Sequence, residues 1–198
     1  MKNKILNVIL IILILATIIV SIIITKKYYD NYKNEENLNI IVEDFKNEIA
    51  NNKNDKSEKE NKKVDIKYKG FNVLGIIEIP KINMNYPILS ETTDETMEIS
   101  ITKFWGNNVN EVGNFTMVGH NFFDNTLFGR IDELKINDEI YLTDASGNML
   151  KYGIFDKYII DPNDTSCVKS VKKDTKEITL ITCTEGRSKR LVIKAREI

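Results

Sequence analysis

The stretch Thr179-Leu180-Ile181-Thr182-Cys183, followed after six polar residues by Arg190-Leu191-Val192-Ile193, decides how this chain is read. Short β-branched runs bounded by Gly, Ser and charged residues read as two strands joined by a loop. A thiol then closes the first strand and a guanidinium opens the second, so both face the same end of one sheet. The same alternation of short apolar runs and turn residues extends from Gly70 to Ile198. Candidate strands are residues 74–79, 86–89, 114–118, 139–142, 150–160, 178–183 and 191–195, and Asp144-Ala145-Ser146-Gly147-Asn148 reads as a hairpin turn. Residues 92–98 read as a short helix capped by Thr92 or Thr93, and residues 127–134 as a further helical turn. Seven or eight short strands with few helices in about 130 residues predict an all-β dominated fold, a closed or nearly closed barrel. Trp105, between Phe104 and Gly106, is expected as a core or barrel-end aromatic.

Upstream of the strands, residues 5–25 are almost wholly Ile, Leu and Val, interrupted by Asn7, Ala16, Thr17, Ser21 and Thr25. That is about the 20 residues a helix needs to cross a hydrocarbon core. The run is longer than the apolar part of a secretory signal, and no small-x-small site follows it, so a retained transmembrane signal anchor is expected. Lys2 and Lys4 precede the span while Lys26, Lys27 and Lys33 follow it, so charge alone does not orient it. Residues 26–69 are rich in Lys, Asn, Glu and Asp and read as a charged linker. Within it Leu38, Ile41, Val42, Phe45 and Ile49 follow a helical stripe, which predicts a short amphipathic helix. Residues 51–63 read as a solvated segment. The expected organisation is a cytoplasmic N-terminus (1–4), an anchor (5–25), the linker (26–69) and a catalytic domain (70–198).

Over 198 residues, 28 Lys and Arg nearly balance 29 Asp and Glu, which gives no argument for nucleic acid as a partner. Two cysteines, Cys167 and Cys183, are too few for a disulfide framework and lack CxxC spacing, so no metal cluster and no cofactor are expected. His120 is the only histidine, and therefore the only side chain of the type that ordinarily changes charge near neutral pH. It follows the run Asn114-Phe115-Thr116-Met117-Val118-Gly119, with Gly119 and Asn121 marking a turn that can present the ring. Cys183, His120 and Arg190 together supply a nucleophile, an acid or base, and an oxyanion stabiliser, as acyl transfer needs. Arginine, with five donors in a fixed fork, suits the last role better than lysine.

These residues resemble the sortase family, membrane-anchored cysteine transpeptidases of Gram-positive bacteria. The likeness rests on TLITC ending in Cys183, on Val118-Gly119-His120, and on Arg190-Leu191-Val192-Ile193, in the family's order. Leu127-Phe128-Gly129-Arg130 and Leu134 with Asp138-Glu139-Ile140 also look like the segment that follows the family's histidine, so the resemblance covers residues 75–198. It implies an eight-stranded β-barrel and a two-step reaction. Cys183 attacks the Thr–Gly-type carbonyl of an LPxTG-like sorting motif on a secreted protein, and a peptidoglycan or lipid II-type amine resolves the thioester. His120 handles the protons, Arg190 stabilises charge, and Thr182 is the candidate support of the nucleophile. Arg187 also lies beyond Cys183, but Arg190 starts the apolar run as in the family. Cys167 lacks the motif and reads as incidental. A cysteine used on secreted proteins and wall precursors has to face outward, which orients the anchor.

The subclass stays open. The lack of a second apolar span and of an Asp-Pro-aromatic lid in residues 26–69 weighs against the pilin-polymerising type. The short connection over residues 161–177 fits poorly with the class that carries a long helix there. Two other readings use the same residues. One is a membrane-tethered β-barrel that binds wall or partner proteins without turnover. The other is a different Cys/His/Arg peptidoglycan transpeptidase, which would be expected to space Gly-Cys-Arg closely, unlike Ile181-Thr182-Cys183-Thr184.

Overall fold

The computed structural model describes residues 2–54, 63–122, 124–169, 172–184, 186 and 188–198. Helix α1 runs from Lys2 to Asn54. The chain divides into two compact units, one ending at Asn37 and one covering Leu38–Ile198. In the first, the Ile- and Leu-rich side chains of α1 are exposed. Among the described residues this one helix is long and apolar enough to cross a membrane. The charged stretch that follows is helical without a break as far as Asn54, where the sequence predicts only a short helix. Lys, Glu and Leu are all good helix formers, so the change in polarity at residue 26 carries no helix stop. Most of the predicted solvated segment, residues 55–62, lies outside the described residues.

In the second unit the strands are β1 (Lys67–Tyr68), β2 (Phe71–Ile79), β3 (Met84–Leu89), β4 (Ile101–Trp105), β5 (Gly113–Val118), β6 (Glu139–Asp144), β7 (Met149–Ile160), β8 (Lys176–Thr184) and β9 (Lys189–Glu197). Eight of them, in the order β2-β3-β4-β5-β8-β9-β7-β6, close into a barrel because β6 pairs back onto β2. The two-residue β1 adds only to the edge of β2. The eight-stranded barrel expected from the sequence is therefore present. The pairs β3/β4 and β5/β8 are parallel and the others antiparallel.

Alternation along the strands sorts the two faces. Ile178 and Leu180 of β8 and Leu191, Ile193 and Ala195 of β9 join the barrel core with Ile77, Ile88, Ile101, Met117, Leu142 and Ile154. The intervening Ile181 and Val192 face outward, yet they are buried by a separate cluster that includes Cys167. Strand β8 is thus covered on both sides, which is why TLITC reads as nearly continuous apolar sequence.

Leu38, Val42 and Phe45 of α1 pack in a third cluster with Val64, Tyr68, Val73, Ile76, Leu89 and Ile99. The predicted stripe is therefore a buried face. Beside it α2 (Asp94–Ile99) is capped by Thr93, whose hydroxyl accepts from the Thr96 amide while Thr96 accepts from the Thr93 amide. Thr92, the other cap candidate, instead bonds Thr102 and the Lys103 carbonyl on β4. Thr93→Ala is expected to lower stability by about 1 kcal/mol, read from urea unfolding. An unchanged midpoint would mean that the cap is redundant.

Two local expectations are corrected and one is narrowed. Strand β4 is absent from the predicted strands, because Lys103 interrupts a short run that follows the helix directly. Trp105 is 60% exposed at the end of β4, so of the two expected placements it takes the barrel end and not the core. The predicted turn over residues 127–134 contracts to one 3-10 turn, Ile131–Glu133.

Candidate active site

Cys183 sits one residue before the end of β8 and is half-buried. Its direct partner across β8 and β9 is Arg190, the second residue of β9. Directly paired residues on neighbouring strands send their side chains to the same face, so the thiol and the guanidinium share the outer surface of the barrel. Ile160 of β7 pairs with Arg190 in turn, and the row Cys183, Arg190, Ile160 is continuous. One row inward lie Val118, Ile181, Val192 and Tyr158. Arg190 also donates from Nη1 to the Lys189 carbonyl at 3.1 Å.

His120 lies two residues beyond Val118, as Cys183 lies two residues beyond Ile181, and Val118 and Ile181 are the last registered pair of the parallel strands β5 and β8. Three hydrogen bonds continue the attachment past that pair. The Gly119 amide donates to the Ile181 carbonyl at 3.3 Å, Thr182 Oγ1 donates to the Gly119 carbonyl at 2.8 Å, and Asn121 Nδ2 donates to the Cys183 carbonyl at 3.0 Å. The segment carrying His120 is thereby fastened to the strand carrying Cys183. Thr182 makes its contribution from a buried position, 3% exposed, by holding the backbone before His120.

A side chain at Gly119 would force buried neighbours to shift. A Cβ would come within 2.7 Å of Ile101 Cδ1 and 2.9 Å of the Phe128 ring. Beyond it the His120 carbonyl accepts from the Phe128 amide at 3.0 Å, and Asn121 bridges to Leu127. Leu127 closes this turn in a left-handed conformation (φ 51°) with its amide donating to Tyr86 Oη at 3.3 Å. The His120 ring lies 4.9 Å from Phe122 and its Nε2 is 3.5 Å from Glu98 Oε1 on α2. Nothing in the sequence singles out Glu98 or Tyr86, because no local pattern links either to a histidine so far along the chain.

Of the other candidates raised by the sequence, Arg187 lies outside the described residues. Cys167 is not a loop bystander. It is 3% exposed within the 3-10 turn Ser166–Val168 and packs against Ile181 and Val192. Burial pushes its thiol up, and Asp164 adds to the shift. The neighbouring Tyr158 hydroxyl is pushed up to about 12, again chiefly by burial. Among the described residues no group of three His, Cys, Asp or Glu could hold a metal ion.

A closed barrel with a thiol, a guanidinium and the segment bearing the sole imidazole gathered at one rim defines a class that comparison with known proteins makes specific. A family model described as the sortase domain matches residues 77–198. Sortase A of Bacillus anthracis is 34% identical over 124 residues, covering 61% of this chain and 58% of that relative. A sortase D5 transpeptidase of Clostridium perfringens superposes with a TM-score of 0.63 at 28% identity, over 79% of this chain and 94% of that one. Sortase A of Corynebacterium diphtheriae does so with a TM-score of 0.59 at 30% identity, over 65% and 61%. This chain belongs to the sortase family. It spans about half the length of the curated relatives it matches, from 49% to 58% for the first three.

Proposed function

We propose that this chain is a cysteine transpeptidase that cleaves an LPxTG-like sorting motif on secreted proteins and passes the acyl group to a peptidoglycan or lipid II-type amine. What carries the reading is the direct pairing of Cys183 with Arg190 at a rim where the His120 segment is bonded to the same strand. In the first step the Cys183 thiolate attacks the scissile carbonyl carbon, and the oxyanion that forms is met by the Arg190 guanidinium. The C–N bond breaks, the departing amine takes a proton from the His120 imidazolium, and a thioester remains on Cys183. In the second step the acceptor amine attacks that thioester and gives a proton back to His120 as the thiolate leaves. Thr182 supports the nucleophile indirectly, by keeping the His120 backbone against β8.

The steps need no metal or cofactor. Residues 5–25 serve as the single-pass anchor, with residues 1–4 inside the cell and the barrel over residues 70–198 outside, where secreted proteins and wall precursors are met. Residues 26–69 connect the two.

Intact-mass spectrometry of the full chain in detergent, incubated with an LPxTG-like peptide, is expected to show the acyl fragment added to Cys183. Hydroxylamine, which cleaves thioesters, then restores the original mass. Peptide binding with no adduct would instead assign the chain to the tethered, non-catalytic class of barrel.

A further inference from the structure

The connection between β7 and β8, residues 161–175, begins beside Arg190, because Ile160 at the end of β7 pairs with that residue. Asp161 is bonded there to Lys189 Nζ at 2.6 Å. The connection then folds back over the outer face of the barrel, where Cys167 and Val168 cover Ile181, Val192, Val118 and Tyr158. Those are the residues one row inward from Cys183 and Arg190. The connection therefore borders the surface on which the thiol lies.

Its attachment is unusual in kind. Three consecutive backbone carbonyls of the turn, those of Cys167, Val168 and Lys169, are captured by side chains from two strands, and a third strand orients one of those side chains. Lys194 Nζ of β9 donates to the Cys167 carbonyl at 3.1 Å and to the Lys169 carbonyl at 2.7 Å. Asn114 Nδ2 of β5 donates to the Cys167 and Val168 carbonyls at 3.2 and 2.8 Å. Thr179 Oγ1 of β8 donates to Asn114 Oδ1 at 2.9 Å, fixing which way that amide points, and lies 3.5 Å from the Cys167 carbonyl. Thr179 and Lys194 are a directly paired set, so the arrangement is built into the sheet register.

Lys194 is 2% exposed. An ammonium is an expensive way to fill a buried position that a leucine could pack, because its charge must be desolvated. Burial indeed pushes its protonation down, opposed by the Glu177 carboxylate. What an ammonium does and a leucine does not is hold two carbonyls of a segment that has no strand of its own. The remaining buried charge here, Glu177, is already engaged by Arg196 and by the Lys172 amide, which fastens the far end of the same connection.

We propose that Lys194, together with Asn114 and Thr179, is a positioning set that fixes the β7–β8 connection beside Cys183 and thereby sets how the sorting-motif peptide is held. The inference rests on the transpeptidase reading above. Lys194 touches no reacting atom, so its loss should act on peptide recognition and not on the reactivity of the thiol.

The test uses the full chain in detergent and Lys194→Met. KM for an LPxTG-like peptide is expected to rise by about tenfold or more, as a misplaced binding segment does, with kcat changed by less than about threefold. The rate of Cys183 alkylation by iodoacetamide should stay at the wild-type value. Amide exchange at Val168 and Lys169, whose amides bond to the Thr165 and Ser166 carbonyls, should accelerate while the barrel strands stay protected. Thr179→Val removes one hydroxyl at constant shape, keeps the test open if the Lys194 variant does not fold, and should shift KM and exchange the same way by less. Faster exchange with unchanged KM would overturn the positioning role, and unchanged exchange would overturn the clamp itself. A wild-type chain that forms no adduct with the peptide would instead defeat the transpeptidase reading on which the inference stands.

Discussion

Cys183→Ala is expected to reduce cleavage of an LPxTG-like peptide by several orders of magnitude, as removal of a covalent nucleophile does, while Cys167→Ala leaves kcat within about twofold. The contrast follows from where the two thiols stand. Cys183 is half-buried at a rim, in register with Arg190. Cys167 is sealed between a 3-10 turn and the barrel face, and burial holds it in the protonated, unreactive form. Its truncation is a packing change that costs about 1–2 kcal/mol of stability and leaves the rim intact. A second measurement makes the same distinction without substrate. Iodoacetamide on the folded chain should modify Cys183 first, and preferential labelling of Cys167, or a Cys183→Ala chain that still cleaves, would end the proposed mechanism.

The second large effect concerns stability. Phe45→Ala is expected to destabilise the unit by about 3–5 kcal/mol, the cost of deleting a fully buried aromatic, with a thermal shift on the order of 10 °C. Phe45 has no exposed surface, and Leu38 and Val42 on the same helical face have 0% and 3%. Against them lie Val73 and Ile76 of β2, Leu89 of β3 and Ile99 of α2, four residues on the outside of the barrel that would otherwise meet water. A fragment beginning at Lys63 removes the whole helical cover, so it should melt well below the full-length chain. Lys46 and Glu78, 3.8 Å apart and both half-exposed, add little to this attachment. A loss below about 1 kcal/mol in urea titrations of the Phe45 variant would show that the helix merely rests on the sheet.

Much of this is legible in residue order because it depends on period and turn chemistry. TLITC and the run from Arg190 alternate or saturate with β-branched residues, and both become strands with Cys183 and Arg190 at facing ends. Asp144 to Asn148 turns as its Asp and Gly demand, with the Asp144 carboxylate accepting from the Ser146 and Asn148 amides. The stripe from Leu38 to Ile49 is visible as a helical face, but its partners lie on β2, β3 and α2, and periodicity names no partner.

What escapes the sequence depends on pairings between segments far apart. Glu98 meets His120 only because α2 and the turn after β5 share one end of the barrel. Cys167 reads as incidental because its burial comes from Ile181 and Val192 on strands later in the chain. Lys194 sits in an apolar run where alternation predicts an outward, solvated lysine. Its burial follows from a cover that carries no sequence signature.

The parallel pairing of β5 with β8 has a consequence for how the site comes into being. Parallel neighbours cannot be joined by a tight turn, and here the β6–β7 hairpin is threaded between them before β8 can dock. His120 is therefore made long before Cys183, and Arg190 arrives only with β9, which slots between β7 and β8 and so closes the barrel. Contacts of such long sequence separation form late and slowly. The thiol and the imidazole therefore come onto one sheet only once β8 docks on β5, and under the proposed mechanism β9, the last strand made, completes the site by bringing Arg190.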